Sequence, residues 1–253
     1  MSHAVSTAVV TGAGSGIGRA IAAELARQEH EIILLEIDEE AGRESSATIE
    51  EAGGRARLIL CDISQTESVR DAFAQIESLD ILVNNAGIAS VGNVEECSPD
   101  ELDRIYGVNV KGMYHCLHFA IPKLVAAGGG CVVNLASVAS YLGISDRFAY
   151  SMSKGAVLSM TMSIARDYID KGIRCNCVCP GRVHTPFVDG YLAKNYPEDE
   201  REKMFRILSD FQPIGRMGTP EEIAGLVAYL VSSQATFITG SAFEIDGGVT
   251  NLR

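Results

Sequence analysis

The chain has 253 residues, 47% of them apolar, and carries 33 acidic against 21 basic side chains for a formal net charge of −12. This size predicts one domain over residues 1–253 with a single sizeable core. The charge argues against nucleic acid as a partner, because binding to a phosphate backbone needs clustered lysine and arginine. The first ten residues carry no export signal and no apolar run is long enough to span a bilayer, so we expect a cytoplasmic protein that binds no membrane.

Short apolar runs rich in Val, Ile and Leu alternate along the chain with longer stretches of helical periodicity. The predicted strands are Ala8–Val10, Ile32–Leu35, Leu58–Leu60, Ile81–Val83, Val132–Leu135, Ile173–Val178 and Phe243–Ile245. The predicted helices include Ile17–Arg27, Ser64–Ile76, Glu101–Val125, Gly155–Ile169 and Pro220–Val231. This alternation predicts an α/β fold, a Rossmann-type doubly wound parallel sheet of about seven strands between two helix layers. Residues 186–212 read as a less regular insertion that suits a substrate lid.

Glycines cluster between the first predicted strand and the first predicted helix, in the segment TGAGSGIG. There, backbone N–H groups can approach a pyrophosphate, whose charge the helix N-terminus stabilises. The residues expected to contact it are Gly12, Ser15, Gly16, Ile17 and Gly18. Glu36 or Asp38, after the second strand, would bind the adenosine ribose hydroxyls and repel the 2′-phosphate of NADP, so NAD is the expected cofactor. The alternative, that both acids only begin a solvated helix, explains Asp38 better than Glu36.

Further motifs follow in a fixed order along the chain: Asn84-Asn85-Ala86-Gly87, Asn109, Ser137, Tyr150-x3-Lys154 and Pro180-Gly181. With the glycine segment, this order and spacing resemble the short-chain dehydrogenase/reductase family over about residues 7–248. The resemblance implies that Asn109, Ser137, Tyr150 and Lys154 are catalytic. Tyr150 would remove the proton of a substrate hydroxyl, because the Lys154 ammonium one helical turn away would favour its phenolate.

The resemblance implies particular tasks for the other catalytic residues. Ser137 would hydrogen-bond the developing carbonyl oxygen, Lys154 would also hold the nicotinamide ribose, and Asn109 would position a water that connects the site with solvent. Seen alone, Tyr-x3-Lys is more often a surface pair on a helix, Ser137 an ordinary loop serine and Asn109 an ordinary helical residue. Their common order and spacing favour the catalytic interpretation.

The same resemblance implies further contacts with the cofactor. Asp62 and Ile63, after the third strand, would lie at the adenine, although Asp62 could equally cap the helix that begins nearby. The contacts near the ribose and the nicotinamide would come from Asn85, Ala86, Gly87, Tyr150, Lys154, Pro180, Gly181, Val183 and Thr185.

Three arginines lie near these motifs in the sequence: Arg147, Arg182 and Arg216. Guanidinium groups bind carboxylates through paired hydrogen bonds, so this placement favours an acidic small-molecule substrate, with His184 as a further candidate contact. The segments around them are similar to the branch of the family that holds dehydrogenases of 3-hydroxybutyrate and of 2-keto-3-deoxy-L-fuconate. The favoured substrate is a secondary alcohol of a sugar-derived acid. The alternatives are a 3-hydroxybutyrate-type dehydrogenase, a 3-oxoacyl thioester reductase and a nucleotide-binding scaffold without catalysis.

His115 and His118 are spaced as two metal ligands on a helix could be, but no acid or cysteine accompanies them at ligand spacing. We therefore predict no metal site and expect both histidines to be solvated or to lie at an interface. The resemblance implies a homotetramer, in which the helices over residues 101–125 and 155–169 pack against copies of themselves and the carboxyl-terminal segment joins another interface. A dimer is the alternative.

Overall fold

Seven parallel strands form the centre of the computed structural model, which describes residues 6–252. Residues 1–5 and 253 of the predicted domain lie outside the described residues. The strands are β1 (Thr7–Thr11), β2 (Glu31–Glu36), β3 (Arg55–Leu60), β4 (Ile81–Asn84), β5 (Gly130–Leu135), β6 (Ile173–Pro180) and β7 (Ala242–Ile245). They are ordered β3-β2-β1-β4-β5-β6-β7, and every neighbouring pair is parallel. The predicted doubly wound sheet is confirmed.

Helices cover both faces of this sheet. They are α1 (Gly16–Arg27), α2 (Glu39–Glu51), α3 (Thr66–Ala74), α4 (Pro99–Ile105), α5 (Met113–Ala126), α6 (Phe148–Asp167), α7 (Pro186–Asn195), α8 (Glu198–Asp210) and α9 (Pro220–Val231). Along β1, Ala8 and Val10 belong to the core shared with α1 and α9, whereas Val9 belongs to the core shared with α3, α5 and α6. Strands that bury both faces need continuous apolar runs, which is why the sequence pattern located them.

The predicted helix over Glu101–Val125 is divided by a wider turn. Tyr106–Gly112 forms a π-helical segment between α4 and α5. Such segments accommodate an extra residue and often occur at functional sites. Asn109 lies within this segment, with its side chain buried.

Residues 186–212 fold into two helices, α7 and α8, so the expectation of a less regular segment is wrong. Pro186 begins α7, and proline suits the first helical turn because its missing N–H is not needed there. Val188, Leu192 and Met217 form a small core of their own beneath these helices. The two helices therefore pack around a small core that is separate from the two main ones.

No helix within residues 6–252 has both the length and the apolar character needed to cross a membrane.

Candidate active site

The predicted motifs meet at the carboxyl edge of the sheet. Because the strands are parallel, the segments that follow β1, β4, β5 and β6 all emerge at this edge. The strand order reverses between β1 and β4, and ligands of doubly wound sheets bind in the crevice at such a switch point.

The glycine segment brings backbone atoms closer together than side chains would allow. A Cβ atom on Gly18 would lie 2.0 Å from the Gly12 carbonyl oxygen, and one on Gly12 would lie 2.8 Å from the Ala86 Cα. The Thr11 hydroxyl accepts the N–H groups of Asn85 and Ala86, each at 3.0 Å, and so ties the segment after β4 to the segment after β1. This cradle in front of the N-terminus of α1 fits a pyrophosphate.

Glu36 ends β2 with its carboxylate facing the glycine segment. One oxygen accepts the Gly14 N–H at 2.7 Å, and the other accepts the N–H groups of Ile37 at 2.9 Å and Asp38 at 3.2 Å. Asp38 instead accepts the Ala41 N–H as the N-cap of α2. The structural alternative therefore holds for Asp38, and Glu36 is the acid beside the cradle.

Asp62 has a structural task at the start of α3. Its Oδ1 accepts both the backbone N–H of Ser64 at 2.9 Å and the Ser64 hydroxyl at 2.7 Å. Ile63 is buried next to it. Asp62 therefore closes the turn before α3 and does not cap the helix, whose N-cap is Gln65. An adenine contact is compatible with this task, because the turn lies next to Glu36: the Cys61 N–H donates to the Glu36 carbonyl at 2.8 Å.

Tyr150 and Lys154 lie one turn apart on α6, which begins earlier than predicted, at Phe148. The Lys154 ammonium is 5.8 Å from the centre of the Tyr150 ring and donates a hydrogen bond of 2.7 Å to the Leu135 carbonyl at the end of β5. Ser137 follows β5; its hydroxyl accepts the Ala139 N–H at 3.1 Å and hydrogen-bonds with the Tyr150 phenol.

Asn109 reaches the same place from the π-helical segment. Its amide oxygen accepts the Ile88 N–H at 2.8 Å, and its amide nitrogen donates to the Ile88 carbonyl at 2.8 Å and to the Ser153 hydroxyl at 3.0 Å. A Cβ atom on Gly87 would lie 3.3 Å from the Asn109 Oδ1 and 3.6 Å from the Lys154 Nζ. The structure thus brings all four predicted catalytic residues to one place.

Burial has the largest effect on the pKa values of Tyr150 and Lys154. It raises the pKa of the Tyr150 phenol, although the Ser137 hydrogen bond and the Arg147 charge act in the opposite direction. It also lowers the pKa of Lys154 to about 8. Loss of solvation therefore outweighs the Ser137 hydrogen bond and the Arg147 charge in the free protein, and the expected effect of Lys154 on the phenol stays a prediction.

Of the three arginines, Arg147 is the one whose charge acts on Tyr150. Arg147 precedes α6 and donates to the Ser90 carbonyl at 2.8 Å, while the Arg182 guanidinium lies 5.8 Å from the centre of the Phe211 ring. Burial and the Arg147 charge lower the pKa of Arg182, which locates the two cations near each other. Neither arginine forms an ion pair with an acid among residues 6–252.

Arg216 and His184 have partners of their own. Arg216 binds both carboxylate oxygens of Glu222, at 2.7 and 2.8 Å, so the expected three-arginine clamp reduces to Arg147 and Arg182. His184 is exposed, lies 2.8 Å from an Asp189 oxygen and packs edge-on against Phe205. His184 therefore contacts one residue of α7 and one residue of α8.

Comparison with known proteins identifies this arrangement. A family model described as enoyl-(acyl carrier protein) reductase matches residues 12–250. The dehydrogenase/reductase SDR family member 6 of Xenopus laevis is 36% identical over 245 residues, 95% of either chain. The 2-keto-3-deoxy-L-fuconate dehydrogenase of Xanthomonas campestris is 34% identical over 96% of this chain and 79% of its own. The chain belongs to the short-chain dehydrogenase/reductase family.

A solved member of the family has the same fold. The L-sorbose reductase of Gluconobacter frateurii, in complex with NADPH and L-sorbose, superposes with a TM-score of 0.93 at 28% identity, covering 98% of this chain and 97% of its own. As a member of the family, the protein is an oxidoreductase of alcohol and carbonyl groups that binds a nicotinamide cofactor.

The residues of this family member fit such a cofactor. The cradle over Gly12–Gly18 would hold the pyrophosphate, Glu36 the adenosine ribose, and Lys154 the nicotinamide ribose. When bound, the nicotinamide supplies a site that accepts or returns a hydride. Tyr150 can then take or give the hydroxyl proton, and Ser137 can hydrogen-bond the same substrate oxygen.

Sequence reasoning missed one residue of this region and placed another wrongly. Ser153 accepts the hydrogen bond from Asn109 and donates one of 2.7 Å to the Tyr150 carbonyl, which joins the π-helical segment to α6. The other is His115, which is buried rather than solvated or at an interface. Ser153 could have been suspected from its spacing after Tyr150, whereas nothing in the sequence reveals the partners of His115.

Proposed function

We propose that this enzyme uses NAD to oxidise a secondary alcohol of a sugar-derived keto or hydroxy acid, a compound of the 2-keto-3-deoxy-L-fuconate type. The observation that carries the choice of an acid is a pair of cations: the Arg147 charge acts on both Tyr150 and Arg182, and neither arginine forms an ion pair with an acid among the described residues. Partly buried guanidinium groups are strongly stabilised by a carboxylate that they can bind in bidentate fashion.

Glu36 supports NAD over NADP. Three backbone N–H groups, those of Gly14, Ile37 and Asp38, hold its carboxylate at the end of β2. A fixed negative charge there suits two ribose hydroxyls, which can donate hydrogen bonds to it, and repels a 2′-phosphate. The L-sorbose reductase that shares the fold binds NADPH, so the choice of NAD rests on this chain's own acid.

The catalytic proton leaves through Tyr150. The substrate hydroxyl donates its proton to the phenolate while Ser137 hydrogen-bonds the oxygen that becomes a carbonyl. Lys154 keeps a positive charge near the phenolate and binds the cofactor ribose. Asn109, held through Ile88 and Ser153, positions the water through which the proton reaches solvent.

The unit formed by α7 and α8 supports a lid over the substrate. It begins directly after Thr185, whose Cγ2 would lie 3.3 Å from a Cβ atom on Gly16, so the residue before its first helix borders the pyrophosphate cradle. Its separate core lets it move as one body relative to the sheet. A lid of this kind would exclude water when the substrate is bound.

The acid clamp is tested by Arg147→Gln and Arg182→Gln, with Arg216→Gln as the matched control. Loss of a charged hydrogen bond to the substrate carboxylate raises the KM for the sugar acid about tenfold or more in each of the first two variants. The control keeps the wild-type KM, because Arg216 is bound to Glu222. Unchanged KM values in both Arg147→Gln and Arg182→Gln would remove the acid from the proposal and leave the dehydrogenase chemistry in place.

A further inference from the structure

His115 is a buried histidine of α5 with both ring nitrogens in hydrogen bonds. Its side chain is 3% exposed. The Nδ1 atom lies 2.9 Å from the Ile63 carbonyl oxygen, and the Nε2 atom lies 3.0 Å from the Thr66 hydroxyl. A carbonyl can only accept, so Nδ1 carries the proton and Nε2 accepts from the hydroxyl. One imidazole therefore fixes two points of the chain at once.

Both points belong to the turn between β3 and α3. Ile63 follows Asp62 in this turn, and Thr66 is the first residue of α3. Gly112, directly before α5, contacts the turn at a third point. A Cβ atom on Gly112 would lie 2.8 Å from the Ile63 Cδ1 and 3.2 Å from the Ile63 carbonyl oxygen. The turn is thus fitted closely against residues 112–115.

This turn adjoins the adenosine end of the proposed cofactor site. The Cys61 N–H donates to the Glu36 carbonyl at 2.8 Å, and Glu36 is the acid expected at the adenosine ribose. The carboxyl group of Asp62 is oriented within the turn by the backbone and hydroxyl of Ser64. A displacement of Ile63 would therefore move groups that face the adenosine and would leave Tyr150 and Lys154 where they are.

We infer that His115 is a positioning residue for the adenosine half of the cofactor, acting through the turn over residues 62–66 without touching the cofactor itself. The inference rests on the proposed use of a nicotinamide dinucleotide. A binding loop that is already held in its bound conformation loses less conformational entropy on binding, so the benefit appears in cofactor affinity. The continuous stretch over residues 106–115 then serves both ends of the cofactor, with Asn109 at the nicotinamide side and His115 at the adenosine side.

The experiment compares His115→Leu and His115→Asn with His118→Leu, a control at an exposed position of the same helix. Dissociation constants are measured for NADH and for two overlapping fragments of the dinucleotide, ADP-ribose and nicotinamide mononucleotide, together with kcat at saturating NAD. His115→Leu lowers the affinity for NADH and for ADP-ribose about tenfold, because the Ile63 carbonyl loses its buried hydrogen-bond donor. The affinity for nicotinamide mononucleotide and the value of kcat stay unchanged. In His115→Asn, the amide nitrogen can donate to the Ile63 carbonyl in place of Nδ1, so this variant recovers most of the affinity.

Thr66→Val provides a second variant that keeps the shape of the side chain and loses only the hydroxyl donor. It weakens ADP-ribose about threefold and decides the matter if His115→Leu does not fold. ADP-ribose affinity equal to wild type in the folded variants, or an equal weakening of ADP-ribose and nicotinamide mononucleotide, overturns the role of His115. A wild-type protein that binds neither NADH nor ADP-ribose instead overturns the proposed function, and the inference with it.

Discussion

Lys154 holds its charge in a place where burial opposes it. Its side chain is 6% exposed, it donates a hydrogen bond to the Leu135 carbonyl, and burial lowers its pKa to about 8. Burying an ammonium group costs free energy unless partners compensate for the lost water. The proposed chemistry needs this cation next to Tyr150, so function and stability conflict at this residue.

Lys154→Met is expected to stabilise the cofactor-free protein at neutral pH while abolishing turnover. The lowered pKa corresponds to a cost of about 3 kcal/mol in the wild type. Loss of the hydrogen bond to the Leu135 carbonyl offsets about 2 kcal/mol of this gain. The free energy of unfolding of the variant, measured by urea denaturation at about pH 7, should therefore exceed that of the wild type by about 1 kcal/mol.

The advantage of this variant should disappear as the pH rises. Between about pH 8 and the ordinary lysine pKa of about 10.4, the unfolded wild-type chain binds a proton that the folded chain has lost. The stability of the wild type therefore rises with pH in this window relative to the variant. An advantage of the Met variant that grew with pH would contradict a buried lysine with a lowered pKa.

Arg147 has an electrostatic effect that can be separated from substrate binding. Its guanidinium lowers the pKa of Tyr150, against the larger upward effect of burial. Arg147→Gln should therefore shift the rising limb of kcat/KM for oxidation of a neutral alcohol to higher pH, because the phenolate forms less readily. The matched control Arg216→Gln should leave the profile in place, and an unshifted profile in Arg147→Gln would show that the Arg147 charge does not reach the phenol.

At the scale of elements, the glycine segment is the part of the site with the least room for an added side chain. A Cβ atom on Gly18 would meet the Gly12 carbonyl at 2.0 Å, whereas one on Gly225, at an exposed position of α9, would meet nothing within 4 Å. Gly18→Ala is expected to lower the free energy of unfolding by about 3 kcal/mol and to abolish NADH binding, because the backbone must move apart. Gly225→Ala should raise it by about 1 kcal/mol through helix propensity. Thermal unfolding and NADH titration of both variants check the contrast, and equal effects would contradict it.

The sequence predicted the elements whose pattern is set by burial. All seven strands appear within a few residues of their predicted bounds, and the residues of the four catalytic motifs converge because parallel strands end at one edge. The π-helical segment over Tyr106–Gly112 was not predictable, and neither were the hydrogen bonds between Asn109 and Ile88, which form only in the folded chain. The partner of Arg216 was not predictable either, because its ion pair with Glu222 forms only in the folded chain.

At the scale of the whole molecule, charge is distributed unevenly. The chain carries a net charge of −12, yet the site region holds Arg147 and Arg182 without acidic partners among the described residues. An acidic protein with a locally positive cleft attracts small anions to that cleft and repels them elsewhere. Turnover of an acidic substrate should therefore fall as ionic strength rises, through kcat/KM rather than kcat, while turnover of a neutral alcohol should not. A salt-independent kcat/KM for the acid would contradict electrostatic attraction.

Exposed apolar side chains support the expected homotetramer. Tyr106, Tyr114, Met152 and Met162 are exposed on the π-helical segment, α5 and α6, and Phe237, before β7, is fully exposed. On α6, Ala156 and Ser159 continue the stripe of Met152 with small residues that permit close approach of another helix. Association of copies would cover these surfaces.

Phe237→Glu tests this association. A charge at a fully exposed position leaves the fold of one chain intact but is costly inside an interface between copies. Light scattering after size exclusion should give a tetramer for the wild type and a smaller assembly for the variant, with unchanged circular dichroism. A wild-type monomer at micromolar concentration would contradict the tetramer.

We propose that this short-chain dehydrogenase/reductase oxidises an acidic alcohol with NAD through Tyr150. The most direct measurement is NADH or NADPH formation by the purified protein with 2-keto-3-deoxy-L-fuconate, related sugar acids, 3-hydroxybutyrate, a neutral alcohol and a 3-hydroxyacyl thioester. Tyr150→Phe, which should bind NADH normally, serves as the blank. Turnover with NAD and a sugar acid, absent in Tyr150→Phe, is the predicted result; turnover only with NADP, or only with the neutral alcohol or the thioester, would contradict it.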